Sequence, residues 1–211
     1  MRFGSLRRTR PISDRWGWDR GTPVDRRYIE WFLEEHRGDV TGRVLEVGDS
    51  RYTDRYGTDL TQVDVLDVDP TNEIATLVVD LSAHDQLPEG VFDCFLLIQT
   101  LQYVYEFAEA IRGAHRVLRS GGVLLGTLPC LSRVPRSAGV EGDYWRFTEA
   151  SARRLFEGAF GPDRVEVRTY GNVLAATAFL MGLAAEEVSE AELAEADEFF
   201  PVLVAVRAVK V

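Results

Sequence analysis

The chain has 211 residues, 45% hydrophobic and 27% charged, which suits one globular domain with a full-sized core. A formal net charge of -10 argues against a sequence-independent grip on nucleic-acid phosphates, and so against a DNA or RNA substrate. Two cysteines, Cys94 and Cys130, form no metal-type cluster and fit a reduced, cytoplasmic setting.

In chain order, the start is polar and arginine-rich, lacks the apolar run of a secretory signal, and reads as an arm or lid. Trp16 and Trp18 lead into Thr22-Pro23, an N-cap and first helical position, with Asp25 in the first turn. The helix runs through Tyr28, Ile29, Trp31, Phe32 and Leu33 toward His36. Residues 1–40 are thus expected as an N-terminal arm and lid helix, and 41–211 as the core of a single domain. The tryptophans are either a packed corner or, with Arg20, part of a cover over a ligand. Val44 to Val47, broken at Gly48, reads as a buried parallel strand feeding a ligand-facing loop. In open α/β sheets ligands bind beyond the carboxyl ends of such strands.

Val63 to Leu66 is a second strand, ending in Asp67-Val68-Asp69-Pro70. An acid at that tip can accept both ribose hydroxyls of an adenosine ligand, and Asp67 is preferred to Asp69; the alternative is a solvated Asp-Pro turn. Ala75 to Val79 is a third strand before Asp80 and Leu81, and Cys94 to Ile98 a fourth before Gln99, Thr100, Leu101, Gln102 and Tyr103. A helix with Phe107, Ile111, Ala114 and Leu118 on one face is expected to end at Ser120-Gly121-Gly122, with His115 structural and Val123 to Leu128 as strand five. The loop Pro129 to Gly142, with Arg133 and Arg136, is placed to shape a substrate pocket.

Asp143-Tyr144-Trp145-Arg146-Phe147-Thr148 follows, with Thr148 capping the next helix. Tyr144 and Trp145 offer a flat wall and Arg146 a grip on an anion or carbonyl; the alternative is a packed corner with Arg146 stacked on Trp145. Val165 to Thr169 is strand six. The apolar helix Leu174 to Leu183 is core cover, substrate wall or dimer surface. Glu186, Glu187, Glu190 and Glu192 read as a solvated face, and Pro201 to Val209 is a last strand. No stretch is long enough to span a membrane.

Several segments resemble class I S-adenosylmethionine-dependent methyltransferases: VLEVG at 44–48, GGVLL at 121–125, and the order of acidic strand tips between them. RGTPVD at 20–25 before Tyr28-Ile29-Glu30, and YWRFT at 144–148, are similar to the small methyltransferases of glycan and natural-product biosynthesis. The resemblance runs from about Trp16 to Val209. It implies a Rossmann-like α/β fold: a seven-stranded sheet with helices on both faces and the last strand inserted antiparallel. It implies S-adenosyl-L-methionine as cofactor and S-adenosyl-L-homocysteine as product. Glu46 and Gly48 would lie under the amino-acid portion, Asp67 at the ribose, and Asp80 and Leu81 at the adenine. Arg20, Asp49, Val68, Gln99 and Thr100 would complete the cofactor contacts.

Two departures stand out. Asp49-Ser50-Arg51 replaces the further glycines of the first loop, and Leu101-Gln102-Tyr103-Val104 stands where the family often carries Leu-Glu-His-Val. Gln102 cannot act as a base, and a tyrosine of ordinary pKa about 10 is a poor one. The base candidates are Tyr103, Asp143, Asp19 and His84. Tyr103, Asp143 and Arg146 are the catalytic expectation, and Tyr144, Trp145 and Arg146 the substrate-binding one. The function implied is methyl transfer to a small-molecule or sugar-bearing acceptor in secondary metabolism or glycan biosynthesis. The departures motivate an alternative, hydrolysis or ring closure on the same fold. A further one is a non-catalytic partner protein that docks through 174–183. A homodimer or pathway partner is open; a nucleic acid, a membrane and a metal are not expected. A nicotinamide-dependent enzyme ranks last, because Gly-x-Gly-x-x-Gly is absent after the first strand.

Overall fold

A strand that is apolar on both faces must be covered on both. In the computed structural model, which describes residues 4, 7–136 and 139–211, strand β4 (Phe92–Ile98) meets that demand. Cys94 and Leu96 point into one apolar layer, Phe95 and Leu97 into the other. Around it lie β1 (Gly42–Val47), β2 (Leu60–Asp67), β3 (Leu77–Val78), β5 (Leu118–Pro129), β6 (Val165–Tyr170) and β7 (Leu203–Val209). They form one seven-stranded sheet in the order β3-β2-β1-β4-β5-β7-β6. The pairs from β3 to β5 are parallel, and β7 enters antiparallel between β5 and β6.

Helices cover both faces. On one side α1 (Val24–Glu35) and α5 (Val173–Met181) pack Tyr28, Phe32, Ala175 and Phe179 against Leu96, Leu125 and Ala205. On the other, α3 (Phe107–Val117) and α4 (Glu149–Phe160) pack Ile111, Ala114 and Phe156 against Phe95, Leu124 and Val206. Two short helices complete the set, α2 (Arg51–Tyr56) and α6 (Glu190–Ala194). Tyr28 is fully buried, and its hydroxyl donates to Leu193 O at 3.0 Å, linking α1 to α6. A burial this complete makes α1, expected as a lid helix, a layer of the core.

Boundaries depart from the sequence pattern where glycines and prolines serve tertiary contacts. The residue flanking α1 is Pro23, without a side-chain cap, because Thr22 spends its backbone on Glu186 and Ala185. Helix α3 ends at Val117 and β5 begins at Leu118, so Gly121 and Gly122 lie inside the strand segment instead of capping the helix. There a Cβ on Gly122 would sit 2.9 Å from Phe92 O, so this glycine permits close strand approach. Thr148 does cap α4, accepting from Ser151 N, and Asn172 caps α5, accepting from Ala175 N.

Residues 12–22, ahead of α1, form a docked strap. Ile12 N and Ser13 N both donate to Met181 O at the end of α5. Gly182, in the left-handed region at φ 72°, lets Ser13 approach so closely that an added Cβ would lie 2.1 Å from Ser13 O. The acidic segment after α5 is not simply solvated. Glu187 pairs with Arg20, Glu186 accepts from Thr22 N at 2.9 Å, and Glu192 caps Ser189. Gly182→Ala is therefore expected to displace the strap and lower stability by about 1–3 kcal/mol, read as a shift of the urea midpoint.

Candidate active site

The carboxyl ends of the central strands open onto two adjoining cavities. One, of about 550 Å³, is lined by Asp67, Val68, Asp80, Leu81, Thr100 and Tyr144, among others. The second, of about 340 Å³, is lined by Trp16, Arg26, Glu46, Gln99, Arg133 and Asp143, among others. They share Val47 at the tip of β1 and Tyr103 in the turn after β4.

Gly48 sits at φ 83°, and the space where a Cβ would stand is open. The backbone at the tip of β1 is thus left bare, as a close ligand contact requires. Its amide donates to Leu66 O at 2.9 Å, and its carbonyl accepts from Asn72 Nδ2 at 2.8 Å. The same Asn72 nitrogen donates to Asp67 Oδ2 at 2.7 Å. Asn72 thereby fixes the β1 loop to the acidic tip of β2. Nothing in the irregular Thr71–Thr76 stretch marks that role in the sequence. Asp67 keeps its other oxygen turned to Asp69 N at 3.0 Å, and Asp80 accepts from Ser82 N at 2.8 Å. Each carboxylate is oriented by its own turn and retains free lone pairs.

Glu46 is 2% exposed and spends its carboxylate on the chain. It accepts from Tyr52 N at 3.1 Å and from Thr53 N and Thr53 Oγ1 at 2.8 Å each. It reaches the cavity wall, but its oxygens hold the first turn of α2 instead of a ligand. Burial pushes its pKa from 4.5 to about 7, against the pull of those bonds. Asp49 accepts from Arg51 N at 3.0 Å and pairs with the Arg51 side chain, closing the loop where the sequence lacks further glycines.

Arg20 lies away from both cavities, exposed and paired with Glu187. The arginine that α1 gives the smaller cavity is Arg26, beside Asp25 and Tyr52. Asp25 accepts from Arg26 N at 2.8 Å, and burial raises its pKa. The sequence pattern places Asp25 at the helix start and does not single out Arg26; the adjacent Asp-Arg pair in the first turn after a tryptophan corner is the one local signal of it. Gln99 stands in the left-handed region at φ 50°, its amide donating to Thr127 O at 3.0 Å. Its Nε2 is buried without a partner among the described residues, facing a cavity it lines. Gln102 donates to Gln99 O at 2.8 Å and so stiffens this turn.

The three residues expected to bind substrate are separated. Tyr144 lines the larger cavity beside Tyr105, with ring centroids 5.3 Å apart. Trp145 lines neither cavity: it packs edge-on to Phe107 at 4.9 Å. Arg146 does face the smaller cavity, but its guanidinium is engaged. It grips Asp143 through both oxygens at 2.6 and 2.7 Å and donates to Trp145 O and Arg133 O. It is a strut for the 130–146 loop, and Asp143, its side chain 1% exposed, is a paired ion and not an available base. Asp19 accepts from Ser13 Oγ in the strap, and His84 pairs with Glu109 at 3.4 Å; neither lines the two cavities.

A sheet of this order with ligand-sized cavities at the ends of β1, β2 and β4 is the class I S-adenosylmethionine-dependent methyltransferase fold. Residues 38–126 match the family described as a methyltransferase domain. No curated protein matches it. Among solved structures, the [4+2]-cyclase SpnF is similar with a TM-score of 0.58 at 19% identity, over 90% of this chain and 84% of that one. The N-methyltransferase NodS from Bradyrhizobium japonicum WM9, solved with S-adenosyl-L-homocysteine, gives 0.54 at 14% identity, over 94% of each chain. An S-adenosylmethionine-dependent methyltransferase from Mesorhizobium loti gives 0.55 at 15%, over 89% of this chain and 98% of that one.

Arg146→Met leaves the buried Asp143 carboxylate unpaired, so it is expected to cost about 3 kcal/mol by urea unfolding, with part regained in the Asp143→Asn, Arg146→Met double variant. Folded Glu46 keeps its proton over a range where the unfolded chain has lost it. Its contribution therefore favours the fold below that range and is lost as pH rises from 4.5 to about 7. Glu46→Gln is expected to flatten the stability slope across this window by on the order of 2 kcal/mol, checked by denaturation at a series of pH values.

Proposed function

We propose that the protein transfers a methyl group from S-adenosyl-L-methionine to a small acceptor. The adenosine would occupy the larger cavity, and the amino-acid portion and acceptor the smaller one. One observation carries this reading: the two cavities meet at Val47 and Tyr103, where donor methyl and acceptor atom would face each other. Bound S-adenosyl-L-methionine supplies an electrophilic methyl on a sulfonium.

The residues present suit that cofactor. Gly48 leaves bare backbone, and the Asp67 carboxylate can accept from ribose hydroxyls. Asp80 and Leu81 flank the place of an adenine edge. Arg26 and Asp25 offer one positive and one negative charge to an amino-acid zwitterion, and the unpartnered Gln99 Nε2 adds a donor. Thr100, Val68 and Asp49 stand along the same walls. The chain's own contribution is alignment and exclusion of water. Tyr103, 42% exposed at the junction, is placed to hydrogen-bond an acceptor heteroatom.

A second reading draws on the same junction. Gln102 and Tyr103 stand where proton abstraction would need a base, and Gln102 is spent on Gln99 O. That favours, as the alternative, an enzyme that orients a reactive substrate for ring closure, the activity named for the similar cyclase. Release of S-adenosyl-L-homocysteine during an acceptor screen separates the two. Calorimetric titration of S-adenosyl-L-methionine and S-adenosyl-L-homocysteine tests cofactor use directly. Asp67→Ala is expected to weaken both ligands by about 100-fold or more, the worth of two hydrogen bonds to a charged acceptor; unchanged affinity counts against the ribose role.

A further inference from the structure

The smaller cavity holds four guanidinium groups, those of Arg26, Arg51, Arg133 and Arg146. Arg51 is paired with Asp49, and Arg146 with Asp143. Arg26 lies against Asp25 and Tyr52, and the proposed cofactor zwitterion would meet it there. Arg133 alone is left over. Its guanidinium carbon stands 3.7 Å from the centroid of the Trp16 ring. One terminal nitrogen donates to the backbone carbonyl of Asp14, while Nε is buried with no acceptor among the described residues. The carboxylate of Asp14 is taken by Arg136 at 3.0 Å.

This cation is held in place by the strap. Trp16 stands at φ 57°, an unfavourable conformation for a tryptophan, fixed between the Ser13–Met181 contacts and Gly17. A Cβ on Gly17 would lie 2.7 Å from Leu183 O, so the backbone there is pressed onto the end of α5. The ring and guanidinium thus form a flat, positively charged wall, with Pro129, Pro135 and Trp18 as apolar neighbours. Burial lowers the pKa of Arg133, Asp14 pulls it back up and Arg136 lowers it further; an anion paired with Arg133 would favour its charged form.

We infer that the acceptor is anionic, a flat apolar body bearing a carboxylate or phosphate that pairs with Arg133 against Trp16. This rests on the methyltransferase reading of the same site and names its substrate class. Arg133 is then a specificity residue and leaves the cofactor untouched.

The test uses the full chain and four probes: benzoate, phenyl phosphate, benzamide and benzyl alcohol. Each is titrated by calorimetry with and without S-adenosyl-L-homocysteine. At least one anion is expected to bind ten times tighter than the neutral probes. That preference should vanish in Arg133→Gln and return in part in Arg133→Lys, while S-adenosyl-L-homocysteine binds all three proteins within twofold. Preference for benzoate or for phenyl phosphate tells carboxylate from phosphate. No anion preference, a preference that survives Arg133→Gln, or equal loss of cofactor and anion in that variant would each overturn the inference. Failure of the wild-type protein to bind S-adenosyl-L-homocysteine overturns the methyltransferase reading instead, and the cofactor-free titrations still decide the role of Arg133.

Discussion

The site depends on one buried carboxylate. Glu46 projects from the penultimate position of β1, and three donors from the start of α2 converge on it. A loop with several glycines can curl around a cofactor by backbone freedom alone. This loop has only Gly48 at its turn, and its path is set by side chains: Glu46 holds Thr53, Asp49 holds Arg51, and Asn72 holds the Gly48 carbonyl. The cost is a carboxyl group whose burial raises its pKa, tolerated because its oxygens are satisfied.

The second constraint is distance along the chain. The walls of the smaller cavity come from the strap, α1, the ends of β1 and β4, and the 130–146 loop. These are held together by charge pairs and close backbone contacts across the sequence. Arg20 and Glu187, separated by 167 positions, clasp the strap to the segment after α5. Arg146 ties the loop to itself through Asp143 and Arg133 O. Residues that look like substrate ligands in isolation act as struts, and the groups left open to the cavity are those with polar atoms to spare. Two of the three non-glycine residues at positive φ among the described residues, Trp16 and Gln99, line this cavity; the third, Asp59, does not.

The sequence by itself determined the sheet and its cover. Continuous apolar runs as short as Cys94–Ile98 read as strands buried on both faces, and the amphipathic spacing of Phe107, Ile111 and Ala114 reads as a helix packed on them. It also placed Gly48, Asp67 and Asp80 at strand tips, because tip position follows from where an apolar run stops. Tertiary structure alone decided which side chains remain free. Whether Arg20, Arg26 or Arg146 faces the cavity unpaired depends on partners up to 167 positions away, and no local pattern records that. The same holds for Asn72, whose role is a contact between two strand tips. It holds for Trp145, whose ring the packing of Phe107 claimed for the core. Local periodicity is a property of neighbours in the chain, whereas the satisfaction of a polar group is a property of neighbours in space.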